Sequence, residues 1–174
     1  MCFVWKHGER DLAKNELTTD EWKRVIDQIP SFAIVTFTGG EPMVRRDIRE
    51  LLNHACRKHK VHLVSNGTML TNEIISLCVD QAPSNLLGKG LVSVGISLEG
   101  PAEVHDAMVQ VDGSYERTTT ALSKLVELKK RSGKRFPLLD LKIVICKETQ
   151  GSLVSLYELA DSLGLDIISY QQVS

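Results

Sequence analysis

Apolar positions along the chain follow two alternating rhythms. Runs of strand-favouring residues at Phe32–Thr38, Val61–Ser65, Leu91–Leu98, Leu139–Cys146 and Asp166–Tyr170 predict five β-strands. Between them the period lengthens to that of a helix. Trp22, Val25, Ile26 and Ile29 share one face behind Thr18-Thr19-Asp20-Glu21, which reads as a capping box. Within Val44–His59 the stripe is Ile48, Leu51, Leu52, Ala55 and Cys56, with arginines and lysines mostly opposite. A helix from about Thr71 turns Ile74, Ile75, Leu77 and Cys78 inward. Another from Tyr115 to about Ser132 carries Leu122, Leu125, Val126 and Leu128, and a last one from about Ser152 to Leu163 stops at Gly164. Residues 1–17 have no clear period, and 101–114 reads as the longest connection.

Strand alternating with helix predicts an α/β fold with a parallel sheet and right-handed crossovers. The strands themselves choose between a flat sheet and a barrel. Val92, Val94, Ile96 and Leu98 alternate with Ser93, Gly95, Ser97 and Glu99. Leu141, Ile143 and Ile145 alternate with Asp140, Lys142, Val144 and Cys146. A sheet covered by helices on both faces would be apolar on both. One small, polar face predicts strands lining a cavity in an incomplete parallel barrel of about five β/α units, since five strands are too few to close one.

Composition excludes several classes. The 174 residues carry a formal net charge of -1, which does not suit a general nucleic-acid or anionic-membrane binder. No apolar run reaches the roughly 18 residues of a membrane span, and no signal peptide is visible. The four cysteines, at 2, 56, 78 and 146, form no close pair, so the expectation is a reducing cytoplasm without a disulfide framework.

Chemistry gathers at three strand ends: Thr38-Gly39-Gly40-Glu41-Pro42, Ser65-Asn66-Gly67 and Ser97-Leu98-Glu99-Gly100. Ligands of parallel α/β folds bind at that edge. Any one of these segments alone is an ordinary turn. Together they closely resemble the radical S-adenosylmethionine (SAM) superfamily, as do Met1-Cys2-Phe3-Val4-Trp5 and the segment from Gly100-Pro101 through His105-Asp106 to Gly113-Ser114-Tyr115-Glu116. The last segment looks most like peptide-modifying and cofactor-maturing members. The resemblance implies a (β/α)6-type barrel and a single core domain over residues 1–174 that lacks its first strand. It also implies two cofactors, a [4Fe–4S] cluster and SAM. The family's cluster cysteines are spaced C-x3-C-x2-C. Cys2 resembles the third of these, so the other two would precede Met1 and the chain alone would be inactive. Gly39, Gly40 and Glu41 resemble the motif that receives the methionine ammonium. Ser97 matches the strand-end residue that bonds ribose or the methionine carboxylate, and Asn66 stands where a neighbouring strand end contributes similarly. Glu99 replaces the Asp of many relatives.

The implied reaction is reductive cleavage of SAM to methionine and a 5′-deoxyadenosyl radical, which abstracts hydrogen from an unidentified substrate, a peptide or a small molecule. The implied electron donor is a flavodoxin or ferredoxin. No side chain has to be a general base, so no catalytic side chain is assigned. Two other readings stay open: a relative without its cluster that serves as a binding or scaffold module, and an unrelated β/α enzyme using Gly39-Gly40 as a phosphate nest. Cys56 and Cys78 read as packing residues. Cys146 at a strand end also reads as packing, although it can face the cavity. His54, His59 and His62 read as solvated or capping residues around a helix end. His105-Asp106 reads as a loop-ordering pair, and Asp140 with Lys142 as a buried ion pair or a substrate contact.

Overall fold

The computed structural model describes residues 16–172. Five strands form one sheet in the order β1-β2-β3-β4-β5: β1 (Ile34–Phe37), β2 (Lys60–Ser65), β3 (Gly90–Ser97), β4 (Leu138–Ile145) and β5 (Ile167–Gln172). Every neighbouring pair is parallel. Strand order equals chain order, so each right-handed crossover returns on the same side. The result is a partial barrel wall rather than a doubly wound sheet, as the alternation in β3 and β4 predicts. The crossovers contain α2 (Ile48–Lys58), α3 (Asn72–Asp80), α4 (Ala102–Val109), α5 (Ser114–Ser132) and α6 (Leu153–Leu163), while α1 (Thr19–Gln28) precedes the sheet.

The helix-facing side of the sheet carries the core. Val61 and Leu63 of β2, Val94 and Ile96 of β3, and Leu139, Leu141 and Ile143 of β4 are all buried, packed with Leu51, Leu52, Ala55, Ile75, Cys78, Leu122, Leu125 and Leu156 from the helices. The pairings Val61 with Val35, Leu63 with Val94, Val94 with Leu139 and Ile96 with Leu141 keep these side chains on one face across the strands. The opposite, inner face is polar and small: Thr36, His62, Ser93, Gly95, Ser97, Asp140, Lys142 and Ser169.

Local chemistry explains most boundaries. Thr18 and Glu21 make the reciprocal capping box that starts α1, and Thr71 caps α3. Gly164, at φ +72°, closes α6 in the left-handed region that favours glycine. Three boundaries depart from the sequence pattern. Phe32 is 87% exposed in a turn, so β1 is shorter than its apolar run. The glycine turn leads into a 3-10 turn at Pro42–Val44 before α2 begins at Ile48. Residues 102–109, read above as connection, are α4. Its one buried residue is His105, so the apolar stripe that announces a helix is missing.

α1 is held by more than apolar contact. Ile26 is its only buried residue, and His59, 1% exposed at the end of α2, donates from Nε2 to the Ile26 carbonyl at 3.2 Å. His59 thus takes the capping role of the two expected for it, tying the last turn of α1 to the end of α2, and is not solvated. His54 pairs with Asp27 at 2.7 Å across the same two helices.

Leu141 is fully buried at the centre of the sheet. Leu141→Ala should lower unfolding free energy by about 2–5 kcal/mol, measured by urea denaturation, whereas Val154→Ala, 70% exposed on α6, should change it by less than about 0.5 kcal/mol.

Candidate functional site at the strand ends

Glu41 joins the first two strand ends. Its Oε1 accepts from the Ser65 hydroxyl at 2.9 Å and the Met43 N–H at 3.0 Å, and its Oε2 accepts from the Asn66 N–H at 2.7 Å. The carboxylate therefore caps its own 3-10 turn and braces the end of β1 against the end of β2. A carboxylate has about four acceptor positions, and three are taken. Gly39 and Gly40 of this motif are both exposed, as is Thr38 before them. No backbone-to-backbone hydrogen bond among the described turns and loops ends on either glycine carbonyl. Gly39 sits at φ +141°, a conformation few side chains adopt, with open space where a Cβ would be.

Asn66 folds its side chain locally. Its Oδ1 accepts from the N–H of Thr68 at 2.9 Å and from the Thr68 hydroxyl at 2.7 Å, which leaves the side-chain amide nitrogen without a hydrogen bond among the described residues. Its main-chain carbonyl accepts from Thr118 of α5 at 2.9 Å, fixing this turn to a helix beneath. Gly67 lies at φ +79°, and an added Cβ would fall 2.9 Å from the Thr118 methyl. Ser97 ends β3 beside Lys142 and is half-buried. Its hydroxyl makes no hydrogen bond among the described residues. Gly39, Gly40, Asn66 and Ser97 thus stand on three consecutive strand ends.

A second brace closes the next gap. Glu99 accepts the Val144 N–H at 2.9 Å, tying the chain after β3 to β4. Burial holds its carboxyl above the usual carboxylate range, opposed in part by that hydrogen bond. The Glu99 N–H in turn donates to Nδ1 of His105 at 3.2 Å, so Nε2 carries the proton of the neutral ring and donates to Ser114 Oγ, also at 3.2 Å. Asp106 accepts the N–H groups of Gly113 and Tyr115 at 2.7 and 2.8 Å, at the start of α5. The pair orders the loop, as the sequence predicts. Thr149 was missed. It is fully buried, donates to the Val144 carbonyl at 2.6 Å and accepts the Cys146 N–H at 2.9 Å. A lone threonine between Glu148 and Gln150 carries no sequence signal for that role.

Cys2 lies outside the described residues. Among those that are described, no group of three His, Cys, Asp or Glu side chains could hold a metal ion. The described part of the chain thus holds no such ligand group, while its unbonded carbonyls, hydroxyl and amide have the chemistry to meet cationic and polar groups. Cys56 and Cys78 are buried, with thiols pushed up to about 12 by that burial. Both pack, as expected. A surface cleft of about 430 Å³ is lined by Lys23 of α1, by Arg49, Glu50 and Arg57 of α2, and by Arg46 just before α2, among others.

The sequence matches the Radical SAM superfamily over residues 1–160. The chain belongs to that superfamily. The radical SAM family uses a [4Fe–4S] cluster together with SAM. Among its relatives, an AdoMet-dependent heme synthase of Methanosarcina barkeri is 33% identical over 153 residues, which is 86% of this chain and 40% of the synthase. A PqqA peptide cyclase of Bradyrhizobium diazoefficiens is 37% identical over 98 residues, 55% of this chain and 24% of the cyclase. The crystal structure of Streptococcus suis SuiB bound to precursor peptide SuiA superposes with a TM-score of 0.74 at 17% identity, covering 92% of this chain and 34% of SuiB. The chain thus spans well under half the length of these relatives. Among the described residues, no helix is long and apolar enough to cross a membrane.

Two outcomes follow from the radical SAM strand ends. Glu41→Ala strands the Ser65 hydroxyl and the Asn66 N–H, and should cost about 2 kcal/mol of stability with faster amide exchange at Asn66. His105 is kept neutral because burial lowers its pKa below 6.5. The unfolded chain therefore binds the proton more tightly, and the stability this group contributes above pH 6.5 is lost as pH falls below it. His105→Asn should flatten the stability–pH curve in that window, as measured by urea titrations at a series of pH values.

Proposed function

We propose that this chain is the SAM-binding core of a radical SAM enzyme and that Gly39, Gly40, Asn66 and Ser97 receive the methionyl and ribose groups. The observation that carries this reading is the juxtaposition at three consecutive strand ends: exposed glycine carbonyls, an open amide and an open hydroxyl. Carbonyl oxygens are the partners an ammonium needs, and amide and hydroxyl donors are those a carboxylate needs. Glu41 acts mainly by holding the first two strand ends in register, so the glycine turn meets its ligand in a fixed geometry. Bound together, a reduced cluster and SAM supply an organic radical able to take a hydrogen atom from a substrate. This chain's residues bind, orient and shelter that chemistry. Cys2 is the candidate cluster ligand within residues 1–174.

The substrate class proposed is a peptide. The support is the family's PqqA peptide cyclase relative and the polar, helix-free inner face, whose hydroxyls and ion pair suit amide groups. A low-potential flavodoxin or ferredoxin is the proposed electron donor, and the cytoplasm the proposed compartment.

The test is titration of the isotope-labelled chain with SAM, read by amide chemical shifts. Gly39, Gly40, Asn66 and Ser97 should shift together and saturably, and Ser97→Ala should weaken the effect by about tenfold, the loss of one hydrogen bond to a charged group. Adenosine monophosphate should leave Gly39 and Gly40 unmoved. Shifts at those glycines with the phosphate ester and none with SAM would overturn the proposal in favour of a phosphate nest.

A further inference from the structure

Below the strand ends, the inner face holds a polar group that the SAM site does not use. Asp140 of β4 is 8% exposed. Its Oδ2 accepts from Lys142 Nζ at 2.8 Å and from Ser169 Oγ of β5 at 2.9 Å. Its Oδ1 is buried and has no hydrogen-bond partner. A buried carboxylate oxygen without a donor is costly, and folded proteins rarely tolerate one without a purpose.

The surroundings are built to keep that arrangement. Gly95 of β3 pairs directly with Asp140. A Cβ on Gly95 would fall 2.4 Å from Lys142 Cε and 2.9 Å from its Cδ. The glycine is therefore the groove in which the lysine stem lies, and it lets Lys142 bend from the level of Ser97 down to Asp140. Lys142 remains 36% exposed on this face. His62 of β2 feels both charges. Burial and the Lys142 cation hold its pKa down, against an opposite pull from Asp140. The cluster thus sums to one carboxylate, one ammonium and a neutral imidazole. It has no net charge to attract an ion, and one buried carboxylate oxygen is left without a donor. That combination fits a neutral N–H donor better than a cation or an anion.

The level is also informative. Ser97 pairs with Lys142 and Gly95 with Asp140, so Asp140 sits two residues, roughly 6–7 Å, below the strand-end residues. We propose that Asp140 Oδ1 is a substrate-positioning acceptor that takes a hydrogen bond from a neutral backbone amide of a peptide substrate, with Lys142 and Ser169 holding the carboxylate in place. This rests on the reading of the strand ends as the SAM site and adds the contact that orders the substrate beneath it.

The experiment uses the full chain, isotope-labelled, and acetyl-triglycine-N-methylamide as a neutral peptide probe, with methylammonium and acetate as charged controls. The probe should shift the amides of Gly95, Asp140, Lys142 and Ser169 saturably, and both controls should leave them in place. Asp140→Ala should weaken probe binding at least tenfold. Asp140→Asn, which keeps size and one carbonyl acceptor, should lose less. Circular dichroism and the SAM-induced shifts at Gly39 and Gly40 check that the variants remain folded. Four results would overturn the inference: no probe-induced shift in the wild-type chain, equal shifts in Asp140→Ala, a stronger response to methylammonium, or a stronger response to acetate. The two readings fail separately. Probe shifts without SAM shifts would remove the strand-end assignment and leave Asp140 as a peptide acceptor, while SAM shifts without probe shifts would do the reverse.

Discussion

The Glu41 carboxylate is the interaction on which the rest of the site depends. Parallel strands end with main-chain groups that the next strand cannot reach, because their ladders run out together. Glu41 answers this at β1 and β2 by accepting from Ser65, Asn66 and its own turn. Glu99 does the same between β3 and β4. Asp166 repeats the device at the other end of the sheet, where it accepts from the Leu139 N–H at 2.7 Å and from Lys129 at 2.5 Å. Acidic side chains are thus used as fasteners between neighbouring strands, and Gly39, Gly40, the Asn66 amide and the Ser97 hydroxyl are what the fasteners leave free.

That division of labour changes the role of the most conspicuous residue in the sequence. A carboxylate beside two glycines reads most simply as the partner of a cation. Folding instead surrounds it with donors from a strand about two dozen residues away. No local pattern shows that, since Ser65-Asn66 reads only as a turn. The general architecture was far easier to read. The alternation of Ser93, Gly95 and Ser97 with Val94 and Ile96 already separates an inner face from a helix-covered one, and all of the residues on the stripe of α2 are buried as the period predicts. Where the pattern failed, a polar residue had taken an apolar position. His105 fills the core-facing place on α4, so that segment shows no hydrophobic stripe.

The inner face shows the opposite limit. Its polar residues are legible in the sequence as a stripe, yet their mutual arrangement depends on the register. Asp140 and Lys142 share a face because they are two residues apart, and the lysine can lie flat only because Gly95 is the neighbour that the β3–β4 pairing brings beside it. A one-residue slip would set a bulkier side chain there and turn the ion pair toward the helices.

The depth at which Cys56 and Cys78 are buried also sorts the chain's thiols by reactivity. With thiols pushed up to about 12, neither carries appreciable thiolate at neutral pH, and thiolate is the form that captures iron, oxidants and alkylating reagents. Half of the four cysteines are thereby withdrawn from soft-metal chemistry while the chain stays folded. Iron and sulfide offered to the native protein find these two thiols closed, and Cys56 and Cys78 become reachable only when the helices that bury them open.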